Sequence, residues 1–397
     1  MIDNVQRIPA PSKSPDSPAL NGRQLCFFAA FIVPLSKLLE TPSLLAKYAL
    51  GDLLLPALIQ FVLQAIPLAA ILFIASKTDK GLFSLVKEKL GKVGAKIVYW
   101  ILAAYYLFST LLPLLDLEKF VQAAFYDTAP TAFTFGPFFL LSGFICAKGL
   151  KSFGRIADIC FPIFIVAFFG LIFMSAGEAD YEAILPWFEF PASKIFDATR
   201  FTTAHFSDAI LFLPLLGDYR YQKGDGKKVM GAFGAGAAVT ILFLATFYGI
   251  FSTIAPSQHY AFAKIAQYFP ALKTVGRLDL LLVYLLTVIL LYYHTFPIQL
   301  CGLCVAKALD CEQKTLISVI INAGLFAFIF FCNKYYNVIY ETISQTLWWI
   351  FPIFSIAIPL LCLLLLIGQK KKNSRQKTKN AESNRRPRGK KEAQRAR

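Results

Sequence analysis

The sequence predicts an all-α polytopic membrane protein of ten transmembrane helices, built as a 5+5 inverted repeat in which helices 1 and 6 are broken. Three observations carry that reading. Of 397 residues, 57% are hydrophobic and only 16% charged, with a mean hydropathy of +0.57, whereas a soluble domain of this size carries more polar surface. Ten apolar segments have lengths suited to crossing a hydrocarbon core, which takes ~20 residues of helix. Lys and Arg crowd into every second gap between those segments.

Taken in order, the first segment is Gln24–Ala46, interrupted by Pro34 and by two ionisable residues, Lys37 and Glu40. The second is Leu53–Ser76. The gap Lys77–Lys96 carries Leu82, Phe83, Leu85, Val86 and Leu90, an amphipathic pattern expected to lie on the inner membrane surface. Ile97–Leu115 is the third segment, and Phe133–Cys146, the shortest, is the fourth. Ile156–Ser175 is the fifth. A long acidic gap, Gly177–Arg200, leads to the sixth, Phe201–Tyr219, which contains Pro214. Val229–Ile254 is the seventh. The gap Ala255–Arg277, with His259, Tyr260, Phe262 and Tyr268, reads as a second interfacial helix. Leu278–Ala306 is long enough to tilt or protrude, and Leu316–Cys332 and Thr346–Ile367 complete the set. The membrane domain thus spans residues 24–368, between a polar tail at 1–23 and a basic tail at 369–397, both expected to be disordered.

Charge sets the orientation. With both termini in the cytoplasm, the inner gaps and the N-terminal tail hold 18 Lys and Arg, the outer gaps hold 8, and cytoplasmic loops are the ones enriched in these residues. Lys370 to Arg397 adds 13 basic against 2 acidic residues. The tail reads as a cytoplasmic segment drawn to anionic lipid, with each basic residue near the surface worth about 1 kcal/mol, rather than as a nucleic-acid contact. Residues 1–23 are polar and carry four prolines, with no apolar stretch and small-residue site of the kind a cleaved leader needs. The eight cysteines fall almost entirely in apolar segments, and Cys301 and Cys304 have no second pair at metal-site spacing, so small buried residues are expected, not a metal or disulfide framework. P-loop, HExxH and nucleophile-elbow motifs are absent. An enzyme is not expected, and no cofactor is implied.

Function must then reside in the polar groups kept at membrane depth, where an ionisable residue costs about 2.5–3.5 kcal/mol on insertion scales. Five helices entering from inside, followed by five entering from outside, make an inverted repeat, a plan in which substrate binds at the broken helices. Pro34, Ser36 and Lys37 mark the break in helix 1. His205, Ser207 and Asp208 mark the middle of helix 6. Helices 1 and 6 run in opposite directions, so Lys37 and Asp208 fall at similar depth and are expected to face one another, as an ion pair or as two poles for a small zwitterion. The competing reading pairs Lys37 with Glu40, three residues on, with the lysine reaching toward the surface. Tyr106 and Ser109 of helix 3, and Tyr292 and His294 of helix 8, are the expected flanking contacts. A packed tyrosine with a satisfied hydroxyl is the commoner fate of such rings.

Several local stretches are similar to the spore germination permeases, the B subunits of bacterial endospore germinant receptors, within the amino acid/polyamine/organocation transporter superfamily. They are Gly22-Arg23-Gln24-Leu25, Pro42-Ser43-Leu44-Leu45-Ala46, Thr128-Ala129-Pro130, Gly149 through Asp158 (GLKSFGRIAD), Leu185-Pro186 and Arg277-Leu278-Asp279. The resemblance covers about residues 22–310. Val33-Pro34-Leu35-Ser36-Lys37 departs from it, since the family has a Gly-rich break there. The resemblance implies a LeuT-like fold, recognition of a small nutrient germinant such as an amino acid, A and C type receptor subunits as partners, and the cytoplasmic or spore inner membrane. A proton-coupled amino-acid transporter is the alternative function, and a purely structural subunit a third.

Overall fold

The computed structural model describes residues 19–78, 80–125, 130–267, 278–311 and 313–366. The basic tail, most of the N-terminal tail and the Arg277 motif position lie outside the described residues. Residues ahead of the expected boundary already pack on the domain: the Leu20 N–H donates to Asp218 O at 3.1 Å, and helix α1 starts at Gly22.

Helix 1 is two helices, α1 (Gly22–Leu35) and α2 (Thr41–Ala49), separated by a non-helical stretch at 36–40. Pro34 sits in the last turn of α1, and Pro42 opens α2, where its missing N–H is harmless. Next come α3 (Leu54–Lys77), α4 (Leu82–Phe125), α5 (Thr131–Lys148) and α6 (Leu150–Ser175). Helix 6 is more fragmented than one proline predicts. It consists of α7 (Ala192–Phe201), the single turn α8 (Thr203–Phe206) and a 3-10 segment, Ala209–Leu215. The second half continues with α9 (Asp225–Phe251), α10 (Ala261–Ala266), α11 (Leu278–Leu309), α12 (Lys314–Cys332), α13 (Tyr336–Glu341) and α14 (Ile350–Leu366). Two π-helical turns, Thr342–Thr346 and Ile353–Ala357, interrupt the last stretch. All ten predicted apolar segments are helical, though broken at 1 and 6. Among the described residues, seven helices are on their own long and apolar enough to cross a membrane.

The packing follows the repeat. Elements at equivalent places in the two halves lie against each other: α3 on α9, α4 on α11, and α5 on α12. The cross-pairs match as well, since α1 packs along α9 while α3 packs along the 3-10 segment of helix 6. This is the pattern expected of inverted repeats related by a pseudo-two-fold axis. The α1–α9 crossing is close enough that a Cβ at Gly236 would stand 2.6 Å from the Ala30 carbonyl oxygen.

Two expected surface helices behave differently. The amphipathic segment after α3 is the start of α4, and Gly91 (φ 73°) separates it from the long remainder. Its Leu82 and Val86 are buried and Leu90 is 55% exposed, and Leu82 N–H bonds to Leu216 O at 3.3 Å, so protein takes up the first turns of its apolar face. Within the second expected surface segment, α10 folds inward. Ala261, Phe262, Ile265 and Ala266 are fully buried, and α10 caps the α1–α2 break.

Candidate functional site

The site forms where the two breaks meet. A helix that ends mid-membrane leaves carbonyls at its C-terminus and N–H groups at its N-terminus without intrahelical partners. It also presents a negative end to cations and a positive end to anions, each worth about 0.3–1 kcal/mol. Lys37 follows the C-terminus of α1, and Asp208 is the N-cap of the Ala209–Leu215 segment. Each charge therefore stands at the helix end that favours it.

The two side chains form an ion pair, with Lys37 Nζ donating to Asp208 Oδ2. Lys37 is 0% and Asp208 4% exposed, so neither relies on water. Ser36 ties the pair together: its Oγ accepts from Lys37 Nζ at 2.6 Å and lies 3.2 Å from Asp208 Oδ1. The Phe206 ring centroid is 4.8 Å from the ammonium, within the range of a cation–π contact. Lys37 does not pair with Glu40. That carboxylate instead bonds to His259 Nδ1 at 2.8 Å.

The freed backbone is repaired in two ways. In helix 1, Lys37 N–H bonds to Pro34 O at 2.9 Å, and the carbonyls of Leu38 and Leu39 accept from Phe262 and Ala261 N–H at 3.1 and 3.0 Å. In helix 6 the partners are side chains. Gln64 of α3 accepts from Ala209 N–H at 3.3 Å, and Tyr106 of α4 donates to Ile210 O at 2.8 Å. Gln64 also donates to Ser355 in the second π turn at 3.2 Å, so α14 joins the support of the break.

Beside the ion pair lies a cavity of about 60 Å³, room for about two waters. Of the predicted residues, Ser36, Ser109, His205, Ser207, Asp208 and His294 line it. His294 is held by Nδ1 against Leu290 O at 2.7 Å. Pro34 shapes the break from behind. Tyr106 faces Ile210, as above, and Tyr292 donates to Phe153 O at 2.6 Å while stacking on the Phe153 ring. Their neighbours Tyr105 and Tyr293 line the cavity instead. The Tyr105 hydroxyl is buried beside Ser207 and Asp208. Helical spacing does not choose between the two tyrosines, because Ser109 lies four residues after Tyr105 and three after Tyr106. Gln64 gave no signal either, as a lone amide in an apolar run is ambiguous. Among the described residues no group of three or more His, Cys, Asp or Glu is placed to hold a metal ion.

A family model described as spore germination protein matches residues 36–339. Among solved structures, MhsT in complex with L-phenylalanine is similar at 13% identity and a TM-score of 0.64, covering 87% of this chain and 88% of that one. Mhp1, a nucleobase-cation-symport-1 family transporter in a closed conformation with bromovinylhydantoin bound, aligns at 10% identity over 81% of this chain and 75% of that one, with a TM-score of 0.45. None of the curated proteins matches the sequence. The MhsT likeness shows the fold, a LeuT-like transporter fold, and the seven long apolar helices make the protein a multi-pass membrane protein.

Proposed function

The chain belongs to the spore germination protein family, and we propose that it binds a small nutrient germinant, an amino acid or close analogue, at the Lys37–Asp208 centre. The observation that supports this is the ion pair itself. It holds a cation and a carboxylate together at the meeting of two broken helices, with a polar cavity alongside. A zwitterion can exchange into that pair, its carboxylate taking Lys37 and its ammonium taking Asp208, so that no charge is left unpaired at depth. The cavity is too small for such a ligand as it stands, so binding separates the pair and moves the two halves. That movement is the signal we assign to A and C type receptor subunits. The protein then sits in the cytoplasmic or spore inner membrane with both termini inside, and the tail at 369–397 rests on anionic lipid.

The test is a thermal-shift panel of amino acids and nucleosides on the purified protein. A ligand at 100 times its Kd adds about 2.7 kcal/mol of stability. One or more amino acids should raise the unfolding midpoint, and Asp208→Asn should abolish the rise. A flat panel would sink the reading. His205 and His294, both at the cavity, favour a second reading as a proton-coupled amino-acid transporter. Uptake into proteoliposomes driven by a proton gradient distinguishes it from sensing alone.

A further inference from the structure

We propose that the α5–α12 face holds a site for one anionic phospholipid, separate from the central cavity. Two adjoining spaces define it. The first is an apolar groove of about 680 Å³ between α5 and α12, lined by Phe133, Leu140, Phe144, Val319 and Phe326, with Gly136 and Gly143 forming its floor. The second is a cavity of about 250 Å³ at one end of the groove, where Lys148, Lys151, Lys307 and Lys314 converge. Asn322 lines both spaces, so they adjoin.

The groove follows α5 from Ala132 to Ala147, a rise of about 22 Å. An acyl chain reaches through about half of the ~30 Å hydrocarbon core, so the groove accommodates one. The flanking side chains already point outward: Phe133 and Leu140 are each 79% exposed, and α12 is the least buried of the long apolar helices.

Charge and hydrogen bonding select the head group. Among the described residues, Lys148, Lys151 and Lys314 have no carboxylate partner, and the cavity's one carboxylate, Asp218, is bonded to Lys307 at 3.2 Å. The surplus is positive, at the end of the bundle that the charge pattern assigns to the cytoplasm, and basic pockets between helices on that side suit acidic head groups. Deeper in, Gln299 and Asn322 are 6% and 3% exposed, yet Gln299 Oε1 and Asn322 Oδ1 have no hydrogen-bond donor. A phosphodiester with no hydroxyl of its own donates to neither acceptor. A glycerol head group supplies hydroxyl donors to them while its phosphate meets the lysines, so phosphatidylglycerol is the matching chemistry.

Native mass spectrometry of the full chain in nonionic detergent tests the site. Phosphatidylglycerol, phosphatidylcholine with the same chains, and deacylated glycerophosphoglycerol are titrated separately. One phosphatidylglycerol should bind in preference to phosphatidylcholine. Lys148→Gln with Lys314→Gln should weaken it about 30-fold while the unfolding midpoint in detergent alone stays put. The basic tail is intact in that variant, so a loss cannot be assigned to the tail. Gly143→Leu, which fills the groove, should weaken phosphatidylglycerol but not the deacylated head group. Equal binding of the two phospholipids, no effect of the lysine substitutions, or deacylated head group binding as tightly as the lipid would each overturn the proposal. So would a second polypeptide crosslinking in membranes to Val319→Cys in place of lipid.

Discussion

The two broken helices meet the same demand in different ways. At the helix 1 break, the exposed carbonyls of Leu38 and Leu39 are satisfied by backbone N–H groups of α10, an element on the loop between α9 and α11. At the helix 6 break, Ala209 and Ile210 are satisfied by Gln64 and Tyr106, side chains on long helices of the core. The helix 1 break is thus covered by one short element that itself packs on α6, α9 and α11, and the helix 6 break by the long helices directly. The ion pair joins the two breaks, which makes it the element that a ligand must divide.

The strongest way to break this comparison is to remove one partner of the pair. Lys37→Met or Asp208→Asn alone leaves a buried charge or amide without its counterpart and should cost about 3–5 kcal/mol. The double variant should cost less than the sum of the two, because neither loss then strands the other. Unfolding curves for the four proteins in one detergent measure the coupling, and strictly additive losses would show that the two breaks are energetically independent.

A smaller effect isolates the helix 6 side. Tyr106→Phe keeps the ring but removes the donor to Ile210 O, and a buried carbonyl left unmade costs about 1–3 kcal/mol. The same unfolding assay reads the loss. Leu38 O and Leu39 O at the helix 1 break have no counterpart to this substitution, since their donors are backbone N–H groups. A Tyr106→Phe protein as stable as the wild type would mean that the side-chain bond to Ile210 O carries no weight, removing the contrast.

Much of this arrangement was legible in the sequence, and the misses share a cause. Ten apolar segments and alternating Lys and Arg gave the helices, and opposed directions brought Lys37 to the depth of Asp208. Both signals depend on composition over many residues, which hydrophobic burial enforces. What failed was resolution at single positions. Tyr105 and Tyr293 line the cavity in place of the expected Tyr106 and Tyr292, because a helix turns about 100° per residue and a pair of adjacent tyrosines offers no choice of face without a partner to fix it. The burial of Val86 and Phe262 was also illegible. An amphipathic stretch shows that one face is apolar, not whether lipid or protein covers it.

The smallest effect belongs to the cover of the helix 1 break. His259 bonds to Glu40 at 2.8 Å, and that hydrogen bond, helped by the charges of Glu40 and Asp116 and opposed by burial and by Lys264, raises the imidazole above its usual range. A group whose folded pKa is raised binds its proton more tightly in the native state, so its stabilisation is complete below the unfolded value of about 6.5. It is lost as pH rises through the higher folded value. The side chain is 65% exposed, and a contact so open to solvent contributes at most about 1 kcal/mol. His259→Gln should therefore lower the unfolding midpoint slightly at pH 5.5 (a value of about one unit below the free imidazole) and leave it unchanged in alkaline buffer. The substitution should make no difference to the Lys37–Asp208 coupling measured at either pH. If it did, the cover and the ion pair would act as one unit, and the contrast between the two breaks would have to be abandoned.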